Sequence, residues 1–390
     1  MLELSGKLKQ LSGLSTTSPP SLLRVVTTPA LPKVLARDAA YLCQSAEIPV
    51  GFRIYMALES NREFLESVPS GERRAVLPDS ASFLREGDIM RVSPSSGSYR
   101  VVFRSHSNHV SILLTERCNH YCLMCSQPPR EVNDDWIMNE VENLLPMIPI
   151  HTREIGFTGG EPTLYGDRFI RLLECTKTYL PRTAVHVLSN GRIFSDLTFS
   201  EAYAAVKHPD LMIGIPLYSD DPVRHNYVVQ ADGAFDETIQ GIINLKRLKQ
   251  RVELRVVLHL QTIDRLTNLA EFITRNLLFV DQVALMGLEI TGFTRGNLDK
   301  LWIDPYDYRD TLGRAVDILS AYKIPTAVYN HQLCVVPEGV RRFCTRSISD
   351  WKNEYLPVCS SCALRGRCGG FFSSGVRYRH SDHVQPITTA

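Results

Sequence analysis

Val110-Ser-Ile-Leu-Leu-Thr-Glu-Arg-Cys-Asn-His-Tyr-Cys-Leu-Met-Cys125 runs from a short apolar strand pattern straight into three cysteines spaced C-x3-C-x2-C. Thiolates at Cys118, Cys122 and Cys125 can hold three corners of an iron–sulfur cube and leave one iron without a protein ligand. Clusters that serve only electron transfer usually carry four cysteine ligands. An open iron is therefore a place where a small molecule can bind and be reduced. On spacing alone, a zinc knuckle or three unrelated thiols compete with that reading.

Glu154-Ile-Gly-Phe-Thr-Gly-Gly-Glu-Pro162 comes next, reading as a short strand, a glycine turn and a helix beginning near Thr163. Gly159 and Gly160 permit positive φ or a close backbone approach, and Pro162 suits a helix start. The two motifs together resemble the signature of the radical S-adenosylmethionine (SAM) enzymes. The resemblance implies a [4Fe–4S] cluster whose open iron is chelated by the methionine part of SAM. One electron then cleaves SAM to a 5′-deoxyadenosyl radical. It also implies that Gly159, Gly160 and Glu161 hold the SAM amino group, through backbone carbonyls and the carboxylate.

Working outward, short apolar runs recur at 111–114, 154–157, 184–188, 211–217, 254–260 and 282–289. Longer amphipathic stretches, such as 167–179 and 235–249, separate them. In the latter, Ile239, Ile242, Ile243 and Leu245 recur near helical spacing. Strands alternating with helices predict βα units and a parallel sheet. The expected fold is α/β, a partial (β/α)6 barrel, as the resemblance also implies. Sites in such folds lie at the C-terminal strand ends, where Cys118 and Gly159 both fall. Leu188-Ser-Asn-Gly191 ends the third strand and reads either as an Asn-Gly turn or as a ribose contact. Ser189 and Asn190 offer the hydroxyl and amide that a vicinal diol requires. The resemblance places Met124 in the slot facing adenine, a position more often aromatic. His225 and the segment 287–292 lie near strand ends without an assigned role, and His225 reads as a surface residue.

The flanks differ in character. Residues 1–105 contain breaker clusters, including Ser18-Pro-Pro20 and Ser93-Pro-Ser-Ser-Gly97, and short strand-like pieces. They predict a small strand-rich accessory domain that presents a groove or sheet edge to a peptide or partner, or merely covers the barrel. Cys43 within it reads as a small buried hydrophobe. The barrel occupies 106–300, and a cysteine-rich region follows at 301–390. That region holds Cys334, Cys344, Cys359, Cys362 and Cys368, with Gly339 five residues before Cys344 and Gly369-Gly370 after Cys368. The arrangement resembles the SPASM or twitch extensions of radical SAM peptide-modifying enzymes, which carry auxiliary clusters. Five thiols fully ligate one further [4Fe–4S] cluster, with one cysteine to spare. A four-cysteine zinc site is the alternative.

Composition bounds the rest. The 390 residues are 44% hydrophobic and 22% charged, ordinary for two or three globular domains. A formal charge of +1 gives no global electrostatic case for nucleic acid or an anionic membrane. No uncharged apolar stretch reaches the ~18 residues of a membrane span, and the N-terminus lacks a secretory pattern. Ten cysteines in that context point to metal ligands in a reducing compartment, the cytoplasm.

Cys118-Asn-His-Tyr-Cys-Leu-Met-Cys-Ser-Gln-Pro-Pro129, with the small domain before it and the reduced cysteine set after it, is similar to the His-Xaa-Ser system radical SAM maturases of the HxsC type. That resemblance implies an enzyme modifying a ribosomally made precursor peptide with His-Xaa-Ser repeats, beside a second radical SAM maturase and an electron donor. The alternatives are a radical SAM enzyme acting on RNA or a small metabolite, and an inactive iron–sulfur scaffold for a partner maturase.

Overall fold

The computed structural model describes residues 4–29, 31–45, 47–346 and 353–388. Eight strands come first: β1 (Ser5–Lys7), β2 (Gln10–Ser12), β3 (Ser21–Val26), β4 (Ala39–Leu42), β5 (Ile54–Leu58), β6 (Arg74–Leu77), β7 (Ile89–Ser93) and β8 (Ser98–Phe103). They form one sheet in the order β1-β8-β7-β3-β4-β5-β6-β2. The two strands at the ends of that order are separated in the chain by only Leu8 and Lys9. Those residues donate their N–H groups to Gly97 O and Val76 O, at 2.8 Å each, so the sheet curls until its ends meet. The period of two along a strand sorts its residues by face. Val25, Ala40, Leu42, Ile54, Met56, Ala75 and Leu77 pack with Met90, Val92, Tyr99 and Val101 in one cluster. Their neighbours Val26, Ala39, Tyr41, Tyr55, Ala57 and Val76 pack on the other face with Phe52, Leu65 and Val68. Cys43 is buried there as expected, its thiol pushed up to about 11 by burial.

Seven parallel strands follow: β9 (Val110–Thr115), β10 (Glu154–Gly159), β11 (Ala184–Leu188), β12 (Leu211–Pro216), β13 (Arg251–Leu258), β14 (Gln282–Gly287) and β15 (Thr326–Tyr329). They lie in sequential order across the sheet, each pair joined through at least one helix, such as Asp135–Leu144, Asp167–Tyr179 or Ala234–Arg247. The fold is α/β, a partial radical SAM-type barrel with additional domains. All six expected strands are present. The seventh, β15, pairs in parallel with β14 from Val283↔Thr326 to Met286↔Tyr329, so the sheet continues into the segment read as the cysteine-rich extension. Only four residues long, β15 carries no alternation by which the sequence could announce it. Ile112, Leu114, Ile155, Phe157, Val185, Val187, Ile213 and Ile215 join the helices in one core. The alternate residues face the interior of the curl. There Gly214 leaves room for Arg255 and His186; a Cβ on it would lie 2.8 Å from Arg255 Cδ and 3.0 Å from His186 Nε2.

The N-terminal barrel is welded to the second sheet. Ile89 and Phe103 belong to the parallel sheet's core. Arg24 donates to Met147 O at 2.6 Å, and Arg91 pairs with Glu140 at 3.2 Å beneath Trp136. Beyond β15 the chain forms short helical turns held by an isolated bridge between Glu354 and Phe371 and by a Tyr306–His383 stack at 3.8 Å. Among the described residues no helix is long and apolar enough to cross a membrane.

Candidate functional site

The cysteine loop leaves β9 and is pinned at once by Asp134, a fully buried carboxylate at the head of the next helix. Asp134 accepts from Thr115 Oγ1 at 2.7 Å and from the Glu116 N–H at 2.5 Å, and it pairs with Arg117 Nε at 2.8 Å. Burial opposes its charge, but these partners prevail and hold its carboxyl below the usual range. The second motif lies against the base of the same loop: Gly160 N donates to Thr115 O and Glu161 N to Arg117 O, both at 2.8 Å. This contact explains the two glycines. A Cβ on Gly159, at φ +142°, would lie 2.3 Å from Thr115 O, and one on Gly160 would lie 2.0 Å from Arg117 O. The close approach expected here is thus made to the cysteine loop's own backbone. The far side of that loop is closed by residues after β14, where Phe293 N donates to Cys125 O at 2.9 Å and Thr294 Oγ1 to Met124 O at 3.1 Å.

Cys118, Cys122 and Cys125 line one cavity of about 280 Å³ with Met124, Gly159, Gly160, Ser189 and Asn190, close to the size at which small-molecule sites begin, roughly 300 Å³. The structure therefore brings the expected residues of three strand ends to one space. Burial pushes the Cys118 thiol up to about 12 and raises Cys122 and Cys125 as well, so metal binding must displace protons. Cys118 Sγ already accepts the His120 N–H at 3.4 Å. Glu161 stands behind the cavity wall, 1% exposed. Its oxygens accept from Thr163 N (3.0 Å) and Oγ1 (2.6 Å), from Ser189 Oγ (2.8 Å) and from Asn190 N (2.6 Å). Burial nonetheless raises its carboxyl above the ordinary value. Asn190 Nδ2 in turn donates to Asn119 Oδ1 at 2.6 Å, tying the third strand end to the cysteine loop.

Two cavity residues escaped the sequence reading. His120 is 3% exposed and lines the cavity, yet neither ring nitrogen has a hydrogen-bond partner. Burial above all, with the Arg192 charge nearby, lowers it to about 3. A buried neutral imidazole without partners is polar capacity for a bound molecule, so the residues present fit a polar cofactor beside three thiols. Arg255 also lines the cavity, its guanidinium held by Glu253 at 2.5 Å and by Met286 Sδ at 3.1 Å, where it can meet a carboxylate. Its inward position in β13 was the available signal. His225, read as a surface residue, is instead buried. Its Nδ1 accepts from Tyr218 N at 3.3 Å, with the two rings stacked.

Cys334, Cys359, Cys362 and Cys368 line a second, smaller cavity, and Cys344 is not among its lining residues. Among the described residues no three Cys, His, Asp or Glu converge as ligands of a single metal ion; each set of thiols instead surrounds a space. A third cavity lies between the two. It shares Gly287, Leu288, Glu289 and Asn330 with the first, and Gln332, Gly370 and Phe371 with the second.

Residues 112–273, less than half of the chain, match the family model described as the Radical SAM superfamily. Over 135 residues it is 29% identical to the "Probable GTP 3′,8-cyclase" of Methanocella arvoryzae, covering 34% of this chain and 41% of that protein. Among solved structures it is similar to Streptococcus suis SuiB bound to S-adenosylmethionine. That match has 18% identity and a TM-score of 0.48, and covers 60% of this chain and 53% of SuiB. Native anSMEcpe with bound AdoMet gives 18% identity and a TM-score of 0.41, over 55% of this chain and 63% of that one. The chain thus spans less than two thirds of the length of each of these proteins.

Proposed function

We propose that this chain is a radical SAM enzyme that modifies a ribosomally made peptide, one with His-Xaa-Ser repeats. The observation that carries the radical SAM reading is the convergence of Cys118, Cys122 and Cys125 with Gly159, Gly160, Ser189 and Asn190 on one cavity at the C-terminal ends of parallel strands. In this reading the three thiolates hold a [4Fe–4S] cluster. Gly159 and Gly160 take the methionine end of SAM, supported by Glu161. Ser189 and Asn190 face its ribose, and Met124 its adenine. When bound, the cluster and SAM supply hydrogen-atom abstraction at an unactivated carbon. The protein's own task is to position the cofactor and exclude water. Burial of Met124, Tyr218 and Glu161 around the cavity serves that exclusion.

The peptide substrate rests on the resemblance of 118–129 to the His-Xaa-Ser maturases and on the cysteine-rich region beyond the barrel. The intermediate cavity, whose lining overlaps that of each thiol-lined cavity, offers room for a substrate side chain. A partner maturase and an electron donor belong to the same reading. So does a reducing cytoplasmic setting, with which the ten cysteines, none of them in a disulfide, agree.

Anaerobic incubation with SAM, dithionite and a His-Xaa-Ser peptide, read by mass spectrometry, tests both levels. The wild type should form deoxyadenosine and shift the peptide mass. Cys118→Ala/Cys122→Ala/Cys125→Ala should form no deoxyadenosine, and undiminished SAM cleavage in that variant would remove the cluster assignment. A nucleotide substrate is the second reading, resting on the likeness to a protein named as a GTP cyclase. Conversion of GTP with the peptide left unmodified would select it.

A further inference from the structure

Residues 334–390 carry eight Lys and Arg against four Asp and Glu, in a chain whose formal charge is only +1. That excess has a structural focus. Arg295, Arg377 and Arg379 are exposed, and no carboxylate among the described residues pairs with any of them. Each is held instead by an aromatic ring. Arg295 and Arg377 lie over Tyr378, at 5.1 and 5.5 Å from its centroid, and Arg379 lies over Trp302 at 5.3 Å. Stacking engages the face of a guanidinium and leaves its N–H edge free. Three forks are thus positioned for carboxylate oxygens.

The elements that carry these side chains meet beside the cysteine loop. Arg295 belongs to the helical turn Phe293–Gly296, whose first N–H donates to Cys125 O at 2.9 Å. Arg377 ends the turn Ser373–Arg377, and Tyr378 N donates back to Ser374 O at 2.9 Å, which holds the ring in place. Arg379 and Trp302 line the third cavity, of about 60 Å³, which has room for a small side chain and not for a protein surface. Its lining overlaps that of each thiol-lined cavity, so the basic rim borders the space between the two sets of thiols. A rim of arginines beside a narrow pocket suits an extended acidic segment, with carboxylates on the rim and one side chain in the pocket.

We infer that Arg295, Arg377 and Arg379 are the docking site for an acidic stretch of the precursor peptide, which lays Asp or Glu side chains on the rim and presents a neighbouring residue to the third cavity. The inference rests on the peptide reading above for its occupant. It adds that the segment beside the modified residue is acidic, and it names the side chains that select it.

The test is fluorescence anisotropy of the full chain, without SAM or reductant, using labelled His-Ala-Ser repeat peptides with Asp-Glu, Asn-Gln or Lys flanks. Acidic flanks should bind about tenfold more tightly than neutral ones, the combined effect of three exposed ion pairs. Added salt should weaken binding of the acidic probe. Arg295→Ala/Arg377→Ala/Arg379→Ala should abolish the preference. Removing three exposed charges elsewhere, as Arg171→Ala/Arg182→Ala/Arg247→Ala, should preserve it. Arg295→Glu/Arg377→Glu/Arg379→Glu should turn the preference toward the Lys flanks, a reversal that a misfolded variant cannot give. Equal binding of acidic and neutral probes by the wild type, or equal losses in the two alanine variants, would overturn the site. So would a small acidic ferredoxin or an oligouridylate binding at these arginines while the acidic peptide does not, which would give the surface to an electron donor or to RNA. Binding is read without SAM cleavage, so it answers even if no deoxyadenosine forms. Modification of acidic-flanked and neutral-flanked peptides at equal kcat/KM would remove the docking site and leave the proposed function standing.

Discussion

A Cβ placed on Gly160 would meet the Arg117 carbonyl oxygen at 2.0 Å, whereas one on Gly166, at φ +52°, would meet nothing within 4 Å. The two positions separate steric from conformational cost. Gly160→Ala must push the cysteine loop away from the β10 end and should destabilise the protein by about 3 kcal/mol, the range of a forced overpacking. Gly166→Ala meets no atom and pays only for its backbone, φ +52° with ψ −126°, about 2 kcal/mol. Urea unfolding of both variants checks this, and equal losses would contradict it. Buried histidines supply a second prediction at this scale. Burial lowers His225, His259 and His331 from 6.5 to about 4 each. The fold keeps them neutral, so the unfolded chain binds more protons as pH falls. Their contribution is complete above pH 6.5 and is lost progressively toward pH 4. Between pH 6.5 and 5 this amounts to about 2 kcal/mol per histidine. Unfolding free energy should therefore fall over that interval. His259→Leu, at a site whose ring nitrogens have no partner, should flatten the slope.

At the scale of elements, Glu161 fastens the end of β10 to the end of β11. Four donors from Thr163, Ser189 and Asn190 converge on its carboxylate. Glu161→Ala strands those buried donors, each costing about 1–3 kcal/mol if unpaired. The variant should lose at least about 3 kcal/mol of stability, and it should bind SAM at least tenfold more weakly, because Ser189 and Asn190 lose their anchor. Urea unfolding and equilibrium dialysis against SAM measure the two effects. A variant of unchanged stability would show that β10 and β11 hold their ends without this tie. Chemistry at strand ends was legible because each motif directly follows an apolar run. The tie itself was not, since Glu161 and Ser189 are 28 residues apart and meet only through parallel pairing.

For the whole molecule, the decisive contact is the one between the two sheets. Ile89 and Phe103 sit in the core of the parallel sheet, so the N-terminal sheet covers part of it. A chain beginning at Arg104 loses both side chains, each worth about 2–5 kcal/mol when removed from a core. It should melt well below the full protein or aggregate, as followed by circular dichroism and size exclusion. Native-like melting of the shortened chain would leave recognition of peptide or partner as the domain's role. The same contrast marks where sequence reading stopped. Local order fixed the six longer parallel strands, the helix Asp167–Tyr179 and the three clustered cysteines, because periodicity and ligand spacing are properties of contiguous residues. Tertiary structure alone decided the closure of the first sheet through Leu8 and Lys9, the burial of His225 and the pairing of β15. It also separated Cys344 from the other four C-terminal thiols. Each of these depends on which distant segments pack together, and a sulfur's partners, unlike its spacing, exist only once the chain has folded.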